Sequence, residues 1–223
     1  MKRNSESVDQ GESVAESFDR MLELRRRLTL LSSKLLSPDE PSGDPGDLQM
    51  AAVLVGFVTP DVFSGKVDEL ELLLIERAHS LRQHAGQLAF PGGKHDPSDG
   101  TLLETALRET HEEIGVPRRN VEILGRLTPV AVPSGYWVVP FVGWIDAPRP
   151  WALHQNEVAR TLRAPLRELK DPARWIEDGS RRYQGQDYVL HRFTSLQEHW
   201  QGAQLWGASA RMVRELLSRM DGL

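Results

Sequence analysis

Apolar residues near the start of the chain recur at Val14, Phe18, Met21, Leu24, Leu28, Leu31 and Leu35, three and four apart. That spacing predicts an amphipathic helix over 14–36. Its stripe serves either packing on its own domain or a contact between subunits, the second making the chain a homodimer through this helix. Residues 37–48, SPDEPSGDPGDL, are dense in Pro, Gly, Ser and Asp and predict a linker or long loop. Beyond it the pattern changes. The apolar runs AAVLVGFVT (51–59) and DELELLLIER (68–77) predict buried strands, with Pro60 to Lys66 as the turn between them. GQLAF (86–90) predicts a short strand, 102–114 a helix, and VEILGRLTPVAV (121–132) and YWVVPFVGWI (136–145) further strands. The stretch 156–193 mixes short strand and turn signals, and Leu205, Met212, Leu216 and Met220 give 203–220 a helical period. Strands on both sides of one central helix imply an α/β or α+β sandwich. Met1 to Glu12 is polar and expected to be disordered, so the chain reads as an extension over 1–48 and one domain over 49–223.

Charge narrows the ligands. With 27 Lys and Arg against 32 Asp and Glu, the net charge of −5 offers no general attraction to nucleic acid or an anionic membrane. A phosphate-bearing ligand therefore needs local arginine, lysine or metal. The absence of cysteine excludes disulfides, zinc–thiolate sites and cysteine nucleophiles. No apolar run reaches membrane-spanning length and the first twenty residues are too polar for a secretory signal, so a cytoplasmic protein is expected.

The helix over 102–114 carries the chemistry. Thr101 followed three residues later by Glu104 is a capping-box signature, and Gly115 and Pro117 supply its stop. Leu103, Ala106, Leu107, Thr110 and Ile114 read as its apolar stripe, with Glu109, Glu112 and Glu113 on the opposite side. Like charges at this spacing repel by a few tenths of a kcal/mol per pair, roughly, so the cluster calls for a cation. Oxygen donors without sulfur favour a hard divalent ion such as magnesium. Three glutamates are also what a solvated acidic face presents. The upstream Phe90-Pro91-Gly92-Gly93-Lys94 adds a second signal, because glycines permit a close backbone approach to ligand.

Together these residues resemble the Nudix family, whose box reads G, five residues, E, seven residues, R-E, an aliphatic, any residue, E-E, any residue, G, aliphatic. Gly93, Arg108, Glu109, Glu112, Glu113, Gly115 and Val116 match it. Thr110 stands in place of the aliphatic, and fourteen residues separate Gly93 from Arg108 where the general box has thirteen. The first glutamate therefore has no clean counterpart, and Asp99 is left without a role. The resemblance implies an α/β/α sandwich with a mixed sheet and a central metal-binding helix. It implies magnesium, with manganese able to substitute, held by Glu109, Glu112, Glu113 and the Gly92 carbonyl, and Arg108 holding a glutamate in place.

The segment from Leu73 to Gly93 resembles the coenzyme A pyrophosphatase branch, L-L-T-x-R-[SA], three residues, R, three, G, three, F-P-G-G, with Ile75 departing at the threonine. The branch shares the longer spacing to Arg108 and the Asp96-Pro97-x-Asp99 segment; Pro133-Ser134-Gly135 and Trp206-Gly207-Ala208 fit it less specifically. This implies cleavage of CoA or its acyl or oxidised derivatives to 3′,5′-ADP and 4′-phosphopantetheine, with Arg77, Arg82, Gly92 and Gly93 toward substrate. Guanidinium suits bidentate phosphate recognition. ADP-ribose or an oxidised nucleotide is the nearest alternative substrate, and a noncatalytic ligand sensor the alternative class. Glu112 and Glu157 are both candidates for the general base, while His84, His95, His111 and the tryptophans are assigned no role.

Overall fold

The apolar run Gln49–Val58 forms a strand with both faces covered, and the other elements are arranged around it. The structure, a computed structural model, describes residues 14–39, 42–60, 66–147, 149–183 and 186–222. The polar start expected to be disordered and most of the turn expected after Pro60 lie outside the described residues. In chain order the elements are α1 (Val14–Ser32), β1 (Gln49–Val58), β2 (Glu71–Arg77), β3 (Leu88–Ala89), β4 (Gly92–Lys94), α2 (Leu102–Ile114), β5 (Val121–Arg126), β6 (Val130–Val132), β7 (Tyr136–Ile145), β8 (Val158–Pro165), α3 (Leu166–Leu169), β9 (Trp175–Tyr183), β10 (Gln186–Thr194), β11 (Gln204–Trp206) and α4 (Gly207–Met220).

The main sheet is mixed. β1 runs parallel to β7, from Gln49 beside Tyr136 to Phe57 beside Trp144, and antiparallel to β2 and β4. β5 and β6 pair with β7, and β3 and β8 with β2, all antiparallel. One face packs Leu54 and Val58 against Ile114 and Val116, and Ala52 against Ala106 of α2. The other packs Val55 and Phe57 into a larger cluster with Leu24, Leu28 and Leu31 of α1 and Met212, Val213 and Leu216 of α4. A second sheet, β9–β10–β11, joins that cluster through Phe193, with Trp200 5.7 Å from its ring. The architecture is the expected α/β/α sandwich. Among the described residues no helix is long and apolar enough to cross a membrane.

Packing accounts for where the elements depart from the sequence periods. The run 121–132 is two strands, because Pro129 has no N–H to pair and Thr128 N–H donates instead to Glu215 Oε1 at 3.0 Å. Residues 204–206 are a strand rather than the start of a helix, and Gly207, at φ +64°, makes the turn into α4. α1 ends at Ser32, whose hydroxyl donates to the Leu124 carbonyl, and Leu36 then bridges to Arg126 with a 3.0 Å bond in each direction. The segment drawn as an extension therefore shares the domain's core from Leu24 onward; the side chains of Val14, Phe18 and Met21 lie outside those described. Leu31, 1% exposed, tests this: Leu31→Ala is expected to cost about 2–5 kcal/mol in urea denaturation, and a loss under about 0.5 kcal/mol would show that α1 contributes nothing to the core.

Candidate active site

The edge of β1 is divided between two partners. β2 pairs at Phe57 and Val58, β4 at Ala51 to Val53, and Leu54 N–H between them donates to the Pro91 carbonyl. Gly92 lies where the chain turns onto β1, at φ +148°, and a Cβ there would fall 2.3 Å from the Ala52 carbonyl oxygen. At Gly93 a Cβ would fall 2.5 Å from the Glu109 carboxyl carbon. Gly92 is thus required by close approach to the sheet backbone, whereas a side chain at Gly93 would displace the Glu109 carboxylate.

α2 presents that glutamate in a fixed register. Thr101 Oγ1 accepts from Glu104 N–H at 3.1 Å, and Gly115, left-handed at φ 72°, closes the helix onto the His111 carbonyl. Arg108 on the second turn is the hub. Its Nε donates to Asp99 Oδ1 at 2.8 Å and its Nη2 to Oδ2 at 2.9 Å, a bidentate pair. Its Nη1 reaches Glu112 Oε2 at 2.9 Å and Glu109 Oε1 at 3.0 Å. Asp99, which sequence reasoning left without a role, is buried and also accepts from Thr105 Oγ1 and Asp96 N–H. The signal was present in Asp96-Pro97-Ser98-Asp99: Asp96 caps a turn through Ser98 N–H and its own carbonyl accepts from Asp99 N–H. That turn absorbs the additional residue before Arg108, and an aspartate, one methylene shorter than glutamate, meets the guanidinium.

One expectation about the helix is corrected. Glu113 does not share an open face with Glu109 and Glu112 opposite the apolar stripe. It follows Ala106 by seven residues, two turns, so it points the same way into the sheet and is 2% exposed. There its Oε2 accepts from Gly92 N–H at 2.9 Å. Burial pushes its carboxyl up to about 8, against the Gly92 hydrogen bond and the Arg77 charge, with Glu109 and Glu157 adding repulsion. Burial also raises Glu109, with Arg108 opposing and Glu112 and Glu157 reinforcing. Glu157, on the loop before β8, thus joins the anionic group. Glu112 is turned to Arg108 and its side chain is 54% exposed. Among the described residues no three His, Asp or Glu side chains close on one point.

Beside Gly93 and Lys94 opens a cleft of about 540 Å³. Arg77, at the end of β2, lines it, with its Nε buried and lacking a hydrogen-bond partner. Arg82, expected beside it, is exposed and is not among the residues that line the cleft. The turn carrying it brings Gln83, His84 and Gln87 to the wall instead, His84 Nδ1 lying 2.9 Å from Gln87 Oε1. Sequence reasoning gave His84 no role and missed Lys94, Tyr136 and Trp206 as lining residues.

A family model for the NUDIX domain matches residues 55–177, more than half of the chain. The chain belongs to the Nudix hydrolase family. Proteins called "Uncharacterized Nudix hydrolase NudL" from Yersinia pestis (strain Pestoides F) and Yersinia pseudotuberculosis (serotype O:1b, strain IP 31758) are 40% identical over 154 residues, covering 69% of this Nudix chain and 74% of theirs. Among solved structures, a C. elegans Ap4A hydrolase binary complex is 22% identical, covering 53% of this chain and 80% of that one at a TM-score of 0.42. The NUDIX domain of Shewanella oneidensis NrtR complexed with ADP ribose is 23% identical, covering 57% and 78% at 0.41. Neither likeness bears on substrate here. Nudix hydrolases generally need a divalent metal such as magnesium. The donor set fits one: Glu109 and Glu113 are oxygen donors whose burial and mutual repulsion a cation would relieve.

The Arg108 pair holds the Asp99 carboxyl well below the usual aspartate range, so its stabilisation is fully present above the unfolded value of ~3.9 and is lost as pH falls toward the depressed folded one. Asp99→Asn is expected to lower stability by about 1.5–3 kcal/mol at neutral pH and to flatten the acid limb of the stability profile. An unchanged acid limb in denaturation series from pH 7 to 3 would remove Asp99 from this role.

Proposed function

We propose that this Nudix hydrolase is a magnesium-dependent pyrophosphohydrolase that cleaves the diphosphate of coenzyme A or its acyl or oxidised derivatives into 3′,5′-ADP and (acyl-)4′-phosphopantetheine. The observation that carries the reading is where the Leu73–Gly93 segment lies. Of the residues that resemble the coenzyme A branch, which run from β2 to β4, Arg77, Phe90 and Gly93 line the cleft, together with Gln83, His84, Gln87, Leu88 and Ala89 between them, and the Arg77 charge acts on Glu113. A buried guanidinium Nε without a partner suits a diphosphate oxygen.

Glu109, Glu113 and the Gly92 carbonyl would hold the metal, and Glu112 would join them on leaving Arg108. A divalent ion bound there supplies charge neutralisation of the diphosphate and polarisation of an attacking water. Arg108 is a positioning residue: tied to Asp99, it fixes where Glu109 and Glu112 point. Glu112 Oε2 is engaged by Arg108, whereas Glu157, its Oε1 3.5 Å from His154 Nδ1, adds its charge to both the half-buried Glu109 and the buried Glu113. We therefore assign to Glu157 the acceptance of the water's proton.

Turnover of CoA, acyl-CoA, dephospho-CoA, ADP-ribose and nucleoside triphosphates with magnesium, read by product mass spectrometry, is expected to favour the CoA compounds. Indifference to CoA with rapid ADP-ribose cleavage would replace the substrate assignment, and specific binding without cleavage of any compound would make the chain a sensor. Separately, Glu109→Gln and Glu113→Gln are expected to lower kcat by about 10²-fold or more and to abolish the rise in Tm that magnesium gives the unaltered chain. Retention of that Tm rise in both variants would exclude these glutamates as ligands.

A further inference from the structure

The cleft beside Gly93 is not uniform along its length. Its two fixed positive charges differ in place: Arg77 acts electrostatically on Glu113, whereas Lys94 stands opposite Ala51 in the β1–β4 ladder, on the face of the sheet that carries Val53 and Val138. Among the described residues that line it there is no other lysine or arginine, and no carboxylate. Its floor combines Val53, Leu88 and Val138 on the face of the sheet away from α2 with Phe90 from the loop after β3 and Met212 from α4. Neutral hydrogen-bonding groups are spaced along it, Gln83, Gln87, Ser134 and Ser209. At the rim stands Trp206, 49% exposed, immediately before the first turn of α4 and its Ala208.

We infer that this cleft takes the uncharged arm of the substrate, an extended chain of amides and methylenes attached to one phosphate of the diphosphate, and that Trp206 selects for an apolar group at the arm's end. The inference rests on the coenzyme A reading above. A diphosphate anchored by Arg77 leaves two directions for the rest of the substrate. The half bearing a further phosphate would place a dianion over an apolar floor that offers, besides Arg77, only the single charge of Lys94 against it, which is costly. Secondary amides find partners in the glutamine and serine side chains, and methylenes find Phe90 and Met212. The volume, about 540 Å³, lies in the ordinary range for a small-molecule site. An indole at the rim extends the apolar wall just where an acyl group would emerge.

Octanoyl-pantetheine, which carries no phosphate and needs no metal, is the probe, with 3′,5′-ADP as the contrasting half; both are titrated calorimetrically into the full chain. Saturable binding of octanoyl-pantetheine is expected. Ala208→Trp, which narrows the cleft, should weaken it by about tenfold or more, and Trp206→Ala, which removes a half-exposed side chain, by about fivefold, with a smaller loss for unacylated pantetheine. Binding of 3′,5′-ADP should change by less than about twofold in either variant. No binding of octanoyl-pantetheine, binding indifferent to both substitutions, or loss of 3′,5′-ADP in its place would each overturn the assignment. Failure here alongside CoA turnover by the unaltered chain would leave the coenzyme A reading standing; absence of that turnover would remove both.

Discussion

Arg108 joins three parts of the molecule that would otherwise be independent: the turn before α2, the outer side of that helix and the carboxylates above Gly93. Two of its nitrogens are committed to Asp99 and a third to Glu109 and Glu112. A planar guanidinium with its donors in a fixed fork transmits orientation as well as charge, so the position of Asp99 determines where the glutamates stand. Asp99 is itself held by Thr105 and by the turn from Asp96, so the geometry of the anionic site is set by hydrogen bonds nine residues upstream of Arg108. The same contact explains how the site tolerates a loop one residue longer than the general box, because a shorter acid reaches the arginine from a tighter turn.

The second constraint is steric. β4 lies against β1 with no room for a Cβ at Gly92, and Glu109 lies over Gly93. A side chain at Gly92 would force the loop away from the sheet and break the hydrogen bond from its N–H to Glu113, and one at Gly93 would displace the Glu109 carboxylate. The divided edge of β1 thus does more than complete a sheet: it brings a polar backbone group to a buried carboxylate that needs one.

Burial, with the nearby charge of Glu157 added, opposes the ionisation of Glu109 and Glu113. A fold that retains such a group sacrifices stability in the absence of a cation and recovers it on binding one. Ala52, Ala106 and Phe141 pack beneath α2, and the left-handed Gly115 ends the helix against Ala152, from which the loop leads to Glu157.

By itself the amino-acid sequence determined what local chemistry governs. The helix 102–114 was legible because its cap, its stop and its period all lie within seventeen consecutive residues, and β1, β2 and β7 because strands covered on both faces carry near-continuous apolar runs. Glu109, Glu112, Glu113, Arg108 and the glycine pair could be named for the same reason. Tertiary structure alone decided which way they face. Glu113 turned inward because a sheet stands there to receive it, Glu112 was drawn to Arg108, and Arg82 was left exposed while His84 reached the cleft. Asp99 acquired a partner, and Glu157 and Trp206 arrived from segments far along the chain. Spacing along one helix or turn is a property of neighbouring residues; burial, repulsion and the lining of a cleft depend on what the rest of the chain packs against them.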